Sequence, residues 1–204
     1  MKNCVITIAR EFGSGGKTIG KMIADELGIP FYDREILRLA SDDSGINESL
    51  FAKADEKMSS TPLFKIANRV YTGELIPPDS DDFVSNDNLF NYQAKIIKEL
   101  AAQGPCVIVG RCADFVLKDN DNVIRLFVHS TPEKNLKTVC ELKGLEEKEA
   151  QKLIDKTNKH RAAYYKCYTG RDWDNAKNYD LCLDSSRLTY EKCVQIVKAY
   201  IDIR

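Results

Sequence analysis

Residues 5–20 read VITIAREFGSGGKTIG, and this stretch decides the fold. Its first four residues are apolar or β-branched, which predicts a fully buried strand. A glycine-rich turn follows at 13–16, and after Lys17 and Thr18 apolar residues return at helical spacing. Strand, glycine turn, lysine, hydroxyl and helix in this order are typical of a phosphate-binding loop, because glycines let backbone N–H groups surround an anion at a helix N-terminus.

The lysine of this loop can be aligned in two ways. The pattern G-x-x-x-x-G-K-[ST], ended at residues 16–18, places Glu11 where its first glycine belongs. A second register matches the two earlier loop glycines and the final hydroxyl, puts Gly16 at the lysine position and leaves Lys17 one step late. Both registers predict an anion-binding loop, and a plain turn that reverses a βα unit is the alternative.

The composition places the chain among single-domain α/β proteins. It has 204 residues, 30 basic and 31 acidic side chains and a formal net charge of −1, which argues against a nucleic-acid partner. No run approaches the ~20 apolar residues that a membrane span requires. Seven cysteines without a C-x-x-C pair, together with only two histidines, predict a reduced cytoplasmic protein without a disulfide framework or a zinc site.

Two polar residues follow predicted strands. Residues 31–33 predict a short second strand with Asp33 at its carboxyl end, and a helix N-cap is a compatible second role for this residue. The apolar run at 106–109 predicts a central parallel strand that ends at Gly110 and Arg111. Since parallel strands end at one edge of a sheet, we expect Asp33 and Arg111 near the glycine loop. A guanidinium suits a phosphate or carboxylate ligand, and a salt bridge within the fold is the alternative.

Two regions interrupt the alternation of strands and helices. Residues 41–88 predict a helical insert, with helices over 47–57 and 62–71 and an acidic, proline-containing loop over 73–87. Residues 146–168 predict a long helix whose cations, Lys156, Lys159 and Arg161, could lie over a polyphosphate or simply form a solvated face. The expected organisation is a single domain, 1–204, with its core in 1–40, 89–145 and 178–204, the insert in 41–88 and a lid region in 146–177.

Five segments spread along the chain carry a family resemblance. They are IAREFGSGGKTIG, LGIPFYDRE, VIVGRCAD, KHRAAYY and YDLCLDSS. With these segments the chain resembles the cytidylate-kinase-like branch of the nucleoside monophosphate kinases. The resemblance implies the three-layer α/β fold of P-loop NTPases. It comprises a five-stranded parallel sheet with helices on both faces, a helical arm for the acceptor and a lid that closes over ATP.

The resemblance also implies site residues, residue by residue. The donor phosphates of ATP would be held by Gly13, Ser14, Gly15, Gly16, Lys17 and Thr18, with Thr18 also binding Mg²⁺. The acceptor would be bound by Asp33, Arg38, Arg111 and Asp114. The catalytic cations would be Lys17, Arg111 and, from the lid, Arg161.

The implied activity is ATP-dependent phosphoryl transfer to a nucleoside monophosphate, with CMP or dCMP favoured. The family's aspartate directly after the Gly110-Arg111 pair is replaced by Cys112. A P-loop kinase for another small molecule and a nucleotide-binding protein without turnover are the alternatives. The expected partners are small-molecule nucleotides, and the expected state is a monomer or a homodimer.

Overall fold

The computed structural model describes residues 4–57, 71 and 73–204. Within them five strands form one parallel sheet in the order β2-β3-β1-β4-β5. The strands are β1 (Val5–Arg10), β2 (Phe31–Tyr32), β3 (Cys106–Val109), β4 (Val123–His129) and β5 (Leu181–Asp184). The five-stranded parallel sheet implied by the resemblance is therefore confirmed.

Helices connect the strands and cover the sheet. In the described part of the chain they are α1 (Gly16–Leu27), α2 (Glu35–Ser44), α3 (Glu48–Lys57), α4 (Asn86–Gln103), α5 (Ala113–Val116), α6 (Pro132–Lys143), α7 (Glu147–Thr169) and α8 (Tyr190–Ile203). A 3₁₀ turn, Ala176–Asn178, precedes β5. None of the described helices combines the length and the apolar composition needed to cross a bilayer.

The two faces of the sheet carry separate apolar cores, because successive residues of a strand point to opposite faces. In β1, Ile6 and Ile8 pack with α1 and α8, whereas Val5 belongs to the core that includes α2, α4 and α7. In β3, Val107 and Ile108 divide between the faces in the same way. The result is the three-layer arrangement of helices, sheet and helices.

The central strand β1 determines where a ligand can bind. It pairs with β3 on one side and β4 on the other, so that Ile8 stands opposite Val109 and Leu126. The connections that leave β1 and β3 therefore start side by side at the carboxyl edge of the sheet. In open parallel sheets, ligands bind where the strand order reverses in this way.

The insert and its flanks differ in their bounds from the sequence expectation. The loop expected over 73–87 ends earlier, because the Ser85 hydroxyl caps α4 by accepting a hydrogen bond from the Asn88 amide over 3.3 Å. The buried Asn88 side chain also holds this loop, since its Oδ1 accepts from the Ile76 amide over 2.8 Å. The helix expected over 62–71 lies outside the described residues except for Tyr71.

The long helix expected over 146–168 is present as α7, which packs beside α6. Val139, Ala150 and Ile154 form a small apolar cluster between these two helices. Phe12, from the glycine loop, packs against this cluster. The region expected to form a lid therefore contacts the glycine loop directly.

Candidate active site

The glycine loop leads directly into the N-terminus of α1. Gly13 and Gly15 have positive φ angles of 96° and 77°, and α1 begins immediately afterwards at Gly16. The first helical hydrogen bond runs from the Ile19 amide to the Gly15 carbonyl over 2.9 Å, and no side chain caps the helix. Because the first N–H groups of a helix lack acceptors inside it, the loop and the helix N-terminus can bind an anion.

The loop glycines are required by close packing as well as by backbone angle. A Cβ on Gly13 would lie 2.7 Å from the Asn135 carbonyl oxygen. A Cβ on Gly15 would overlap the ring of Tyr190 at the start of α8. Larger residues at either position would displace the loop from its neighbours.

Three hydrogen bonds fix the shape of the loop from outside. The Ser14 hydroxyl donates to the Glu11 carbonyl over 3.0 Å. The Ser185 hydroxyl donates to the Ser14 carbonyl over 2.7 Å, and the Phe12 amide donates to Asn158 Oδ1 on α7 over 2.8 Å. These bonds use groups other than the first-turn amides of α1. The loop is therefore preorganised, with those amides still directed outward.

Glu11 anchors the loop to the connection between β4 and α6. Its Oε2 accepts hydrogen bonds from the Ser130 amide over 3.1 Å and from Asn135 Nδ2 over 3.0 Å. The carboxylate that stands in place of a glycine in the first register is therefore bound to the neighbouring segment.

The Asp33 carboxylate joins the glycine loop to the turn after β3. Its Oδ2 lies 2.7 Å from Lys17 Nζ, and its Oδ1 lies 3.6 Å from Arg111 Nη1. The side chains of Asp33 and Arg111 are 11% and 9% exposed, whereas that of Lys17 is 64% exposed. Burial alone would raise the pKa of Asp33, but the Lys17 hydrogen bond and the charges of Arg10, Arg111 and Lys17 bring it below its usual value.

A strained turn after β3 places Arg111 next to Asp33. Gly110, Arg111 and Cys112 all adopt left-handed conformations, with φ angles of 80°, 55° and 53°. Residues other than glycine rarely adopt this region, at a cost of about 1–2 kcal/mol each. A hydrogen bond from the Ala113 amide to the Gly110 carbonyl, 3.1 Å long, closes the turn. Such strain is concentrated at functional sites.

Arg161 brings α7 onto the same edge of the sheet. Its Nη1 donates to the Arg10 carbonyl over 2.8 Å, and its guanidinium lies 5.6 Å from the centre of the Phe12 ring. Burial, followed by the charge of Arg10, lowers the pKa of Arg161, and the Asp33 carboxylate offsets part of this effect. Cations that destabilise one another in this way favour a bound anion.

Comparisons with known proteins identify the family of this chain. The model of the cytidylate kinase-like family matches residues 5–187. The chain belongs to the cytidylate kinase-like family. Cytidylate kinases from Methanopyrus kandleri and Pyrococcus horikoshii are each 26% identical to it, and the alignments cover 97% of this chain and 93% and 88% of the respective relatives.

Solved structures extend the similarity to the fold of this cytidylate kinase-like protein. An uncharacterized protein from Eubacterium ventriosum matches with a TM-score of 0.72 and 26% identity, over 98% of this chain and 99% of the other. A shikimate kinase from Bacteroides thetaiotaomicron shares the fold, with a TM-score of 0.55 and 15% identity over 98% of both chains. The protein has the P-loop kinase fold, and its family makes it a phosphotransferase.

Several predicted residues of this cytidylate kinase-like chain lie apart from the Asp33 group. The exposed Arg38 pairs within α2, its Nη1 lying 2.9 Å from Asp42 Oδ2. Asp114 is buried, and its Oδ2 accepts a hydrogen bond from the Tyr165 hydroxyl over 2.6 Å. Lys156 and Lys159 are exposed on α7. The structure thus brings Lys17, Asp33, Arg111 and Arg161 to one edge of the sheet and leaves Arg38, Asp114, Lys156 and Lys159 outside that group.

The sequence analysis missed Arg10. This residue ends β1, its charge acts on both Asp33 and Arg161, and its carbonyl holds Arg161. The available signal was a cation at the end of an otherwise apolar strand, immediately before a glycine loop.

Proposed function

We propose that this protein transfers the γ-phosphoryl group of ATP to the phosphate of a nucleoside monophosphate, with CMP and dCMP as the preferred acceptors. One observation carries the proposal. At the ligand-binding edge of the sheet, Asp33 joins Lys17 of the phosphate loop to Arg111 of the β3 turn. Elements suited to donor and acceptor phosphates therefore meet at one carboxylate. Two relatives that are cytidylate kinases suggest the class of acceptor.

The loop fits the polyphosphate of ATP. The backbone of residues 13–18 would hold the donor phosphates, since no side chain caps α1 and its first-turn amides lack acceptors inside the helix. Thr18 is exposed in that first turn, where its hydroxyl would bind Mg²⁺. When bound, the metal neutralises charge on the transferring group.

Arg111 would bind the acceptor phosphate. An acceptor phosphate has a second pKa near ~6 and is mostly dianionic at neutral pH, so its oxygen needs no strong general base. The contribution of the protein is therefore alignment and charge neutralisation, which the buried Arg111 and the strained turn supply in advance.

We propose that the insert, 41–88, acts as an acceptor arm and that region 146–177 acts as a lid. Arg161 already lies against the Arg10 carbonyl, so α7 is in place to exclude water from the transferring group. All seven cysteines are free thiols, which supports a reducing compartment such as the cytoplasm.

A panel of acceptors tests the proposal. ADP release is measured with ATP and each of CMP, dCMP, UMP, AMP and several phosphorylated and hydroxylated metabolites, and the fastest turnover is expected with CMP or dCMP.

Arg111→Ala should raise the KM for the acceptor far more than the KM for ATP. Lys198→Ala, which removes an exposed ion pair with Glu26, is the matched surface control. Equal losses for donor and acceptor in Arg111→Ala would contradict the role of Arg111.

A kinase for another small molecule is the second candidate. It is favoured by the buried Cys112 directly after Arg111, and by Asp114, whose carboxylate is bound by Tyr165. Neither position offers an accessible carboxylate to a cytosine ring. Turnover of a different acceptor in the same panel would support this candidate. ATP binding without any turnover would instead indicate a nucleotide-binding protein.

A further inference from the structure

The side chain of Arg10 occupies the space beside Gly16. Gly16 is buried at the first position of α1. A Cβ built on it would lie 2.5 Å from Arg10 Cβ and 3.0 Å from Arg10 Cγ. A side chain at position 16 and the side chain of Arg10 therefore compete for one space.

This shared space links the two positions at which the chain departs from the phosphate-loop pattern. In the second register, Gly16 stands at the lysine position, and counting back along G-x-x-x-x-G-K places the first pattern glycine at Arg10. The chain thus has an arginine where the pattern has a glycine, and a glycine where it has the lysine. A side chain at position 16 would begin where the stem of Arg10 lies, so Arg10 occupies the place in the fold from which a lysine at position 16 would start.

The guanidinium of Arg10 lies among the other charged groups of the site. A Cβ on Gly110 would overlap Arg10 Nη1, so the guanidinium reaches the turn that carries Arg111. After burial and the Lys17 hydrogen bond, the charge of Arg10 is the next influence on the pKa of Asp33. Arg10 therefore extends from β1 toward the point where donor and acceptor elements meet.

Lys17 occupies a different place. Its side chain is 64% exposed, and its Nζ lies 2.7 Å from Asp33 Oδ2. The ammonium group is thus held at the outer side of the carboxylate, whereas the stem of Arg10 packs beneath the loop against Gly16.

We propose that Arg10 is the cation of the phosphate loop and contacts the transferring phosphoryl group, while Lys17 serves the Asp33 side of the site. This inference rests on the proposed phosphoryl transfer. In that step an acceptor phosphate oxygen forms a bond to the γ-phosphorus, and the bond from that phosphorus to the β,γ-bridging oxygen breaks. The electron pair of the broken bond remains on ADP, and the dianionic acceptor releases no proton. A guanidinium can donate two parallel N–H bonds to the phosphate oxygens on which this charge develops.

Four single variants test the assignment. Arg10→Met keeps an aliphatic stem against Gly16 without the charge, Arg10→Lys keeps a cation, Lys17→Met removes the alternative cation, and Lys21→Met is the control in the exposed pair with Asp25. Arg10→Met should lower kcat by about 100-fold or more, with Arg10→Lys recovering part of the loss. Lys17→Met should reduce kcat less and mainly raise the KM for the acceptor. The proposal would be overturned if Arg10→Met had the same kcat as the wild type. It would also be overturned if Lys17→Met lost more kcat than Arg10→Met.

An exchange of the two positions tests the shared space. The double variant Arg10→Gly/Gly16→Lys should recover activity lost in Arg10→Gly, because the lysine then has room beside position 10. Gly16→Lys alone should lower the melting temperature, since Arg10 occupies the required space. A stable Gly16→Lys protein, or a double variant no more active than Arg10→Gly, would contradict the shared space.

Thermal shifts with Mg-ATP separate this inference from the proposed function. ATP should raise the melting temperature of wild type and of Lys17→Met more than that of Arg10→Met. If wild type binds ATP but phosphorylates no acceptor, the proposed function fails, and these shifts still decide the role of Arg10. An undiminished shift in Arg10→Met would then overturn it. If Arg10→Met does not fold, the shifts of Arg10→Lys and of the double variant decide instead: a shift restored by either cation supports the role, and no shift in either overturns it.

Discussion

The Tyr165 hydroxyl donates a hydrogen bond of 2.6 Å to the Asp114 carboxylate, and both side chains are buried. Asp114 follows Arg111 by three residues, and Tyr165 follows Arg161 by four. The bond therefore ties the turn that carries Arg111 to the helix that carries Arg161. We therefore propose that Asp114 positions the turn that carries Arg111, whereas the resemblance implied that Asp114 binds the acceptor.

Tyr165→Phe should destabilise the protein by about 1–3 kcal/mol, because the buried carboxylate loses its donor. Denaturant unfolding measures this loss. Tyr200→Phe, on α8 at the opposite face of the sheet, is the control. If the bond also aligns the two arginines, Tyr165→Phe should lower kcat with little change in the KM for ATP. A coupling free energy near zero between Tyr165→Phe and Asp114→Ala, which removes the acceptor, would contradict a specific bond.

Asp114 and Asp33 should give opposite dependences of stability on pH. Burial raises the pKa of Asp114, and the Tyr165 hydrogen bond offsets part of the rise. The native state then holds its proton more tightly than the unfolded state, whose aspartate pKa is about 4. The stability contributed by Asp114 is therefore fully present below about pH 4 and lost as pH rises through the raised native pKa. Wild type should lose stability relative to Asp114→Asn over this interval.

For Asp33 the dependence of stability on pH has the opposite sign. Burial raises the pKa of Asp33, but the Lys17 hydrogen bond and the neighbouring cations outweigh this effect and lower the pKa. Its contribution is present above about pH 4 and lost as pH falls through the lowered native pKa. Wild type should therefore lose stability relative to Asp33→Asn on acidification. Melting temperatures of the three proteins from pH 3 to 7 test both signs, and parallel curves would refute them.

Glu11→Ala should remove the anchor between the glycine loop and the start of α6. The Ser130 amide and Asn135 Nδ2 would lose their shared acceptor, which we expect to cost about 1–3 kcal/mol and to raise the KM for ATP. Glu11→Gln retains an acceptor oxygen and should show a smaller effect on both quantities. If Glu11 acts instead as a negative charge near ATP, Glu11→Gln would bind ATP more tightly than wild type.

Gly15→Ala should be far more damaging than Gly45→Ala. Both glycines have positive φ angles, 77° and 73°, so backbone strain of about 1–2 kcal/mol is common to the two variants. Only at Gly15 would the new Cβ overlap a ring, that of Tyr190, whereas nothing lies within 4 Å at Gly45. Thermal melting with and without ATP compares them. The variant Gly15→Ala/Tyr190→Ala should recover the steric part of the loss, and equal destabilisation of the two single variants would show that the close approach is unimportant.

The sequence predicted the site best where the ends of the strands determine which side chains lie close together. Short apolar runs predicted the strands that bring Asp33 and Arg111 to one edge, and in the structure Asp33 Oδ1 lies 3.6 Å from Arg111 Nη1. The start of α4 was harder to predict from sequence, because a single hydroxyl, that of Ser85, determines it.

The role that we propose for Arg10 could not be derived from sequence, because it depends on a side chain from β1 filling the space beside Gly16 in α1. Asp114 illustrates a second limit. The four-residue helix α5 has too few positions to reveal which face is buried, and contact with Tyr165, distant in sequence, determines its orientation. Arg38 has a local partner, Asp42, one turn later on α2.

The left-handed backbone at Arg111 destabilises the folded chain at a residue that we propose is needed for activity. Glycine would relieve about 1–2 kcal/mol of strain at this position, but it would remove the guanidinium that lies 3.6 Å from Asp33 Oδ1 and that we propose binds the acceptor phosphate. Because the loss of this cation would leave Asp33 with one partner fewer, a library selected solely for heat resistance should accept glycine at position 111 together with a change at Asp33, and should then lose turnover. Selection for turnover should retain the arginine and find its stabilising changes elsewhere in the chain.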